Sequence, residues 1–188
     1  MTLTTLTAHQ PNFLPWLPFF EKARASDVLV LLQHAQFVKG NFHNRFSLDG
    51  KWFTMSVNSG IAPLSSKKYV DSDLNWMRIK RRLPQYEKQL SYFDDAISTD
   101  LVATNIEIIN RAMALLGGTW PTVVLEPKTG FTASERIIEL CRLYGASTYL
   151  SGPSGIKYLD TKMFRDVGIK INFSQDPQNK SPLLKVLP

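Results

Sequence analysis

Five consecutive aliphatic residues, Val28–Leu32, place the strongest constraint on how this 188-residue chain can fold. Asp27 precedes the run and Gln33-His34 follows it, so polar residues bound the apolar segment at both ends. Continuous apolar character without alternation predicts a strand buried on both faces, as strands are in parallel sheets covered by helices. The run is far too short to span a membrane.

The remaining segments alternate between strand-like and helix-like patterns. Strands are predicted at Leu3–Ala8, Thr122–Leu125, Thr148–Leu150 and Ile169–Phe173, and helices at Phe19–Ala25, Asn75–Phe93, Leu101–Leu116, Thr132–Tyr144 and Thr161–Asp166. Ser134 is the expected cap of its helix, and Asp49-Gly50 between alternating residues predicts a hairpin. The alternation favours an α/β fold. We expect a Rossmann-like, mainly parallel sheet with helices on both faces and a small antiparallel excursion near residues 46–57.

Domain organisation follows from length and composition. Hydrophobic residues make up 44% of the chain, which excludes a disordered protein. Residues 1–174 are predicted to form a single domain. Residues 175–188 are polar and contain three prolines, so we predict a loose C-terminal tail there.

Charge and cysteine content bear on partners and location. The chain has 22 basic and 16 acidic residues, a balance of +6, which serves solubility or indicates an anionic ligand. The segment from Lys67 to Lys88 concentrates basic residues, either as a solvated helix face or as a ligand-facing patch. Cys141 is the single cysteine and lies at helical spacing among apolar residues, so it is expected in the core. With no signal-like N-terminal pattern, a cytoplasmic protein without membrane association is expected.

His9 stands at the carboxyl end of the first predicted strand, where open α/β sheets bind ligands. The helix that follows offers free N–H groups suited to phosphate. His9 can therefore donate to phosphate or act as a general acid or base, although capping the turn is the alternative. Gln10, Asn12 and Trp16 in the same stiff, proline-rich turn are candidates for substrate binding.

A second polar cluster follows the most hydrophobic strand. Lys39 and Arg45 can clamp phosphate, and Arg45 can do so through two parallel hydrogen bonds. Gln36, Asn41 and Asn44 can read a base or a sugar, and His34 is a further candidate for substrate binding. A rim of ordinary surface charges is the alternative. The spacing of the three histidines lacks the pattern of a zinc site, so no metal ligands are predicted, and Mg²⁺ is left open as a cofactor.

A third cluster follows the Thr148–Leu150 strand. Small residues there allow a ligand to approach the backbone, and successive N–H groups can form an anion nest. The P-loop and the nucleophile-elbow patterns are both absent, which favours hydrogen bonding to ligand over covalent catalysis. The substrate-binding candidates are Ser151, Gly152, Ser154, Gly155 and Tyr158. Arg136, near the start of the preceding helix, is a further candidate, with an ordinary surface position as the alternative.

These clusters belong to a larger combination of motifs: His9-Gln10-Pro11-x-Phe13-x-Pro15-Trp16-x-x-Phe19-Phe20-x-Lys22, Ala25-x-Asp27-Val28-x-Val30-Leu31, Gln36-Phe37-x-Lys39 with Asn44-Arg45, Arg136-Ile137-x-x-x-Cys141 with Gly145-Ala146, and Tyr149-Leu150-Ser151-Gly152-x-x-Gly155-x-x-Tyr158-Leu159-Asp160. Together they resemble the WbqC-like family from about residue 9 to residue 173. That family is found mainly in polysaccharide and O-antigen biosynthesis.

The resemblance implies a transferase that attaches glycine, another amino acid or an acyl group to a nucleotide-linked sugar. In that reaction a small amine attacks an acceptor activated by phosphate or pyrophosphate. His9 and Lys39 would stabilise charge on the leaving group, and Arg45 would hold phosphate. The implied partners are an anionic acceptor and a small amino acid donor. The oligomeric state is left open.

The chain departs from the family pattern in two places. Gln33-His34 stands where the family usually has an acidic pair, and the short tail Gln175–Pro188 replaces an apolar C-terminal segment. With the basic balance, these departures admit an amino acid:DNA transferase, as in phages that hypermodify thymidine, acting on a pyrophosphate-activated base. A non-catalytic nucleotide or nucleic-acid binding module is the remaining alternative. Trp52, Trp76 or Tyr69 would then stack bases, although the core is the expected place for these aromatics.

Overall fold

A computed structural model of the protein describes residues 4–175 and 179–188. The fold is α/β, with a mainly parallel five-stranded sheet, helices around it and a small antiparallel two-stranded sheet, as predicted. Its elements in chain order are β1 (Thr5–His9), α1 (Leu17–Arg24), β2 (Val28–Leu31), β3 (Arg45–Leu48), β4 (Lys51–Thr54), α2 (Ser72–Arg82), α3 (Glu87–Ser91), α4 (Leu101–Leu116), β5 (Thr122–Leu125), α5 (Ala133–Leu143), β6 (Thr148–Ser151), α6 (Thr161–Asp166) and β7 (Lys170–Phe173).

The chain divides into two compact units where the sequence predicts one domain. The sheet unit comprises Met1–His9, Pro18–Leu32 and Thr119–Asn179, and the hairpin unit comprises Gln10–Leu17, Gln33–Gly118 and Lys180–Pro188. The chain crosses between the units repeatedly, so no single linker marks the boundary and a reading of composition along the chain does not find it. In the described ranges, no helix is both long and apolar enough to cross a membrane.

The sheet unit contains five parallel strands in the order β5-β2-β1-β6-β7. The aliphatic run forms β2, which lies between β1 and β5, and Leu29, Val30 and Leu31 are all fully buried. The prediction of a strand covered on both faces is therefore confirmed. An interior position in the sheet requires this, because both faces of such a strand need apolar side chains.

Helices α5 and α6 bury their apolar residues in the core of the sheet unit. Ile137, Cys141 and Phe164 pack in one cluster with strand residues Leu6 and Val30. Burial raises the pKa of the Cys141 thiol to about 12, so this cysteine is an unreactive core residue, as predicted.

Ser134 does not cap α5, in contrast to the prediction from sequence. Thr132 occupies the cap position, and its side chain makes no capping hydrogen bond. Ser134 lies one residue inside the helix and is buried. Its hydroxyl accepts a hydrogen bond from the Asp160 backbone N–H at 2.9 Å. A tertiary contact with the start of α6 therefore uses the oxygen that capping would need.

The hairpin unit forms around local signals that the sequence displays. Asp49 and Gly50 both have positive φ, 50° and 73°, and they connect β3 to β4 in the predicted hairpin. Gly117, with φ of 63°, ends α4. The helix predicted over Asn75–Phe93 is divided into α2 and α3, because Pro84 has no N–H to donate and begins a separate turn.

The C-terminal residues are packed where the sequence predicts a loose tail. Residues 176–178, which include Pro177, lie outside the described residues. Beyond them, Leu183, Leu184 and Leu187 are buried, and the Lys185 amine lies 2.5 Å from an Asp49 carboxylate oxygen. Three leucines within five residues give this segment enough apolar surface to pack within the hairpin unit. The prolines and polar residues around them favour a loose tail when the sequence is considered alone.

A buried amide on α4 joins three segments of the hairpin unit. Asn105 is fully buried, and its side-chain NH₂ donates to the carbonyls of Pro11 at 2.8 Å and His43 at 2.7 Å. Its side-chain oxygen accepts a 2.9 Å hydrogen bond from the Tyr69 hydroxyl. Burial raises the pKa of Tyr69 well above its usual value, so the hydroxyl keeps the proton it donates.

We expect Asn105→Leu to lower the free energy of unfolding by about 2–4 kcal/mol, because two carbonyls and a hydroxyl lose their partner in the interior. Asn110→Leu is the matched control, since Asn110 lies on the same helix and is exposed. That change should stay within roughly 0.5 kcal/mol of the wild type. Urea unfolding measures both values, and equal losses in the two variants would contradict the role assigned to Asn105.

Candidate functional site

The carboxyl ends of the five parallel strands share one edge of the sheet unit. Along the chain, β1, β2 and β5 extend the sheet to one side, whereas β6 and β7 extend it to the other. The order therefore reverses between β1, which ends at His9, and β6, which ends at Ser151. Open α/β sheets bind ligands just outside the carboxyl ends of their strands at such a reversal. This edge is the candidate site.

The predicted site residues are divided between the two units. The sheet unit holds His9, Arg136, Ser151, Gly152, Ser154, Gly155 and Tyr158. The hairpin unit holds Gln10, Asn12, Trp16, His34, Gln36, Lys39, Asn44 and Arg45.

His9 is half-buried at the end of β1. Its ring meets the Phe19 ring edge-on, with centroids 4.9 Å apart. Its backbone carbonyl accepts a 2.8 Å hydrogen bond from the Leu32 N–H, which extends the β1–β2 pairing to the last residue of the strand. The imidazole is therefore held by packing while part of its surface stays open, an arrangement suited to a group that meets a ligand.

Lys22 on α1 brings an amine to the same strand end. Its Nζ donates to the Ala8 carbonyl at 3.3 Å, one residue before His9. Burial lowers the pKa of Lys22 to about 8. Among the described residues, no carboxylate forms an ion pair with it. Analysis of the individual residues missed this lysine, and the only signal was its place in the motif that carries the family resemblance.

Lys67 in the hairpin unit is a buried lysine with a structural role, and its contacts differ from those of Lys22. Its amine donates to three backbone carbonyls, those of Asn58 at 2.9 Å, Ser59 at 3.3 Å and Gly60 at 2.7 Å. All three N–H bonds are thus satisfied, and the lysine fixes the loop. Lys22 has one long hydrogen bond in place of three. A half-buried amine whose pKa is lowered is a candidate for function.

The loop after β6 contains both engaged and accessible groups. Ser151 is buried, and a Cβ added at Gly155 would lie 1.9 Å from its hydroxyl oxygen, so only glycine fits at 155. Ser154 and Tyr158 are exposed, and Gly152 is half-buried. Ser151 and Gly155 therefore shape the loop, whereas the other three residues are accessible to a ligand.

Arg136 forms a bidentate ion pair with Glu126 in the sheet unit. Its Nε and Nη2 donate to the two carboxylate oxygens of Glu126, which is almost fully buried. Glu126 follows β5 directly, so the pair lies at the same carboxyl edge of the sheet. Sequence analysis missed Glu126, because a lone acidic residue after a short strand carries no pattern. Two of the donors of Arg136 are used by this partner.

Two amides predicted to bind substrate, Asn44 and Gln36, make contacts with loops of the hairpin unit. Asn44 is buried and donates to the Met55 carbonyl at 2.6 Å. Gln36 donates to the Ala62 carbonyl at 3.0 Å. Asn12 is buried. The contact of Asn44 satisfies a buried amide internally, which is the usual condition for burying one, whereas Gln36 is exposed.

The two cationic candidates of the hairpin unit differ in their surroundings. Lys39 is exposed and forms no ion pair among the described residues. Arg45 donates from Nη2 to the Gly40 carbonyl. Its guanidinium lies 4.0 Å from the centroid of the Trp52 ring, which holds both side chains in place.

His43 is a buried, neutral histidine. Its Nε2 lies 2.7 Å from the Gln10 side-chain oxygen, which can only accept, so Nε2 carries the proton. Burial lowers the pKa of His43 to about 4. Its Nδ1 is buried without a hydrogen-bond partner among the described residues. In the described part of the chain, no group of three or more His, Cys, Asp or Glu side chains is placed to hold a metal ion.

The fold and this edge define an α/β protein with a candidate ligand site at a reversal of strand order. The profile of the WbqC-like protein family matches residues 10–181, and the chain belongs to that family. The match begins one residue after His9 and includes the other site candidates. The Uncharacterized protein Rv1507c of Mycobacterium tuberculosis (strain ATCC 25618 / H37Rv) is 21% identical over 187 residues, which cover 87% of this chain and 79% of that protein. No solved structure matches significantly.

We expect the buried His43 to make the hairpin unit acid-sensitive. Because its pKa is about 4 in the folded protein and near 6.5 when unfolded, the unfolded chain binds the extra proton first. Stability from this residue is full above pH 6.5 and is lost as the pH falls toward 4. Thermal unfolding from pH 7 to 4 should show a smaller fall in midpoint for His43→Gln than for the wild type. His34→Gln, measured in the same way, is the control for removing one histidine from the chain. Parallel curves for wild type and His43→Gln would contradict the role of His43 in acid sensitivity.

Proposed function

We propose that this WbqC-family protein is a transferase that moves a glycine-like amino acid or an acyl group to a phosphate- or pyrophosphate-activated, nucleotide-linked acceptor such as a nucleotide sugar. The observation that carries the proposal is the neighbourhood of His9 at the strand-order reversal, where the Lys22 amine reaches the carbonyl of the preceding residue. A half-open imidazole and an incompletely bonded amine at one strand end supply acid–base groups where ligands of this fold class bind.

Lys22 is the proposed general base. The amine nitrogen of the amino acid attacks the acceptor carbon that bears the phosphate, a C–N bond forms, and the C–O bond to phosphate breaks. The phosphate leaves with the bonding electron pair, and the proton of the attacking amine passes to the neutral Lys22 amine. A pKa of about 8 leaves a useful neutral fraction near physiological pH, whereas an ordinary lysine near 10.4 is almost wholly protonated.

His9 is proposed to donate a hydrogen bond to the leaving phosphate. Charge develops on that oxygen as the C–O bond breaks, and a donor already held in place needs little reorganisation to meet it. Contact with Phe19 supplies the positioning. Within the hairpin unit, Lys39 has an exposed amine and Arg45 has a guanidinium oriented by Trp52, and either group can bind an anion.

The distribution of positive charge favours a small acceptor over DNA. Four of the seven basic residues from Lys67 to Lys88 make contacts within the protein: Lys67 is buried, Lys68 and Lys80 form ion pairs with Asp100 and Asp94, and Arg82 lies over the Phe53 ring. The other three, Arg78, Arg81 and Lys88, are exposed. More than half of the cluster is thereby engaged within the protein. A duplex-binding surface depends on many free cations, because affinity follows the number of phosphates neutralised.

The test is a transfer assay with labelled glycine and nucleotide sugars across pH 6.5–9. We expect the rate to rise with pH and level off above about 8, as Lys22 loses its proton. Lys22→Arg keeps the positive charge but cannot act as a base, and it should lose roughly 100-fold or more in turnover and also the pH-dependent rise. His9→Ala should lose a comparable factor.

Lys170→Arg is the matched control, because Lys170 is exposed at the start of β7, on the opposite edge of the same sheet. It should retain wild-type turnover. Wild-type rates in both Lys22→Arg and His9→Ala would reject the proposal. Tight nucleotide binding without product from any activated acceptor would favour a binding module. Transfer to DNA, with affinity falling steeply as salt rises, would favour the DNA-modifying alternative.

A further inference from the structure

A cleft of about 330 Å³ in the hairpin unit has four aromatic side chains among its ten lining residues. We call it the aromatic cleft, and its lining residues are Leu14, Trp16, Phe42, Phe46, Ser47, Asp49, Gly50, Trp52, Lys180 and Pro182. Trp16, Phe42 and Trp52 are 38%, 39% and 42% exposed. Single exposed aromatic rings are common on proteins, but three together on one cleft indicate a binding surface.

The three rings form a continuous face. Trp16 and Phe42 are nearly parallel, with an interplanar angle of 11° and centroids 6.3 Å apart. Phe42 and Trp52 are inclined at 52°, with centroids 5.5 Å apart. The Arg45 guanidinium lies over the Trp52 ring, where it restrains that ring. Exposed aromatic rings of this kind can each stack against a planar ligand.

The walls of the cleft are held by contacts that do not involve a ligand. The Phe13 N–H donates to the Phe42 carbonyl at 2.9 Å, and the Leu17 N–H donates to the Ser181 carbonyl at 3.0 Å. Lys185 and Asp49 form an ion pair at 2.5 Å. A cleft restrained in this way loses little conformational freedom when a ligand enters, which favours binding.

The charge around the cleft is complementary to an anion. Lys180 lines it, and Lys51 follows the lining residue Gly50. Asp49 is the acidic residue of the lining, and its carboxylate is paired with Lys185. The chemistry that fits is therefore a planar ring attached to phosphate. Of the aromatics predicted to stack bases, Trp76 and Tyr69 are buried in the core, whereas Trp52 is accessible.

We propose that the aromatic cleft is a nucleobase subsite, in which the base stacks on the Phe42 and Trp52 rings and its phosphates lie beside Lys180. A volume near the lower end for small-molecule sites suits one nucleoside better than a peptide helix. The subsite deepens the proposed function, on which it rests for the nucleotide-linked acceptor. A free nucleotide and an unpaired base in a single-stranded nucleic acid both present a planar ring attached to phosphate.

The experiment is a calorimetric titration with uridine 5′-diphosphate and thymidine 5′-diphosphate, beside pyrophosphate and a sugar 1-phosphate that lack a base. The nucleoside diphosphates should bind at least about tenfold more tightly than the base-free ligands, since stacking on aromatic side chains contributes that much. A short oligothymidylate at two salt concentrations identifies the source. Preference for the free nucleotide indicates a small acceptor, and tighter, salt-sensitive binding of the oligonucleotide indicates a single strand.

Trp52→Leu and Phe42→Leu remove aromatic surface but keep an apolar side chain, and each should weaken nucleoside diphosphate binding by about tenfold. Pyrophosphate binding should not change. Lys180→Gln should weaken binding of the diphosphates but leave binding of uridine unaffected. Phe131→Leu is the matched control, because Phe131 is 48% exposed and lies in the sheet unit. Thermal unfolding confirms that each variant is folded, and the two aromatic variants provide independent tests.

Three results would overturn the subsite: no binding of any nucleotide, equal affinity for base-free ligands, or unchanged nucleotide affinity in both aromatic variants. Equal or tighter binding of the sugar 1-phosphate would assign the cleft to a sugar ring instead. The proposed function fails separately. Nucleotide binding that depends on Trp52 without transfer from any donor would contradict the transferase and keep the subsite, whereas transfer together with unchanged nucleotide affinity in both aromatic variants would contradict the subsite alone.

Discussion

Parallel pairing around β1 is the constraint on which the candidate site depends. β1 pairs with β2 on one side and with β6 on the other, and the Thr7 hydroxyl adds a 2.8 Å hydrogen bond to the Leu150 carbonyl. Because these strands run in one direction, their carboxyl ends lie at the same edge. Residues far apart in sequence, His9 and Ser151, therefore end neighbouring strands, and α1 begins close enough in the chain for Lys22 to reach back to Ala8.

Buried polar groups divide into those the protein satisfies and those it leaves incomplete. Asn105, Lys67 and the Arg136–Glu126 pair have partners for most of their donors and acceptors, and such groups stabilise specific loop and strand positions. Lys22 has one long hydrogen bond, and the Nδ1 atom of His43 has none among the described residues. An unpartnered polar atom in the interior costs stability. A functional role is proposed for Lys22 and not for His43, because Lys22 is half-buried at a strand end with a lowered pKa, whereas His43 is fully buried.

Elements with a local signal could be predicted from sequence, and those fixed by distant contacts could not. The apolar run predicts β2, and the helix over Leu101–Leu116 matches its predicted bounds. The prediction that Ser134 caps its helix was wrong. The Ser134 hydroxyl accepts a hydrogen bond from the backbone N–H of Asp160, a distant residue that no local sequence pattern identifies. In the candidate site, His9 could be proposed from the sequence because it stands at the carboxyl end of a predicted strand. Lys22 could not be proposed in this way, because a lysine on a helix is ordinarily solvated.

By itself, the sequence determined the α/β class, the direction of the strands, the family and the identity of the polar clusters, since periodicity, turn residues and motifs are local properties. The tertiary structure decided which polar residues are accessible. It buried Asn44 and Lys67, engaged Arg136 with Glu126, packed the C-terminal leucines and left Trp16, Phe42 and Trp52 at the surface. The physical reason is that burial and partnership are set by residues distant in the chain. A side chain's type limits its chemistry, and its neighbours decide whether that chemistry is used for structure or for a ligand.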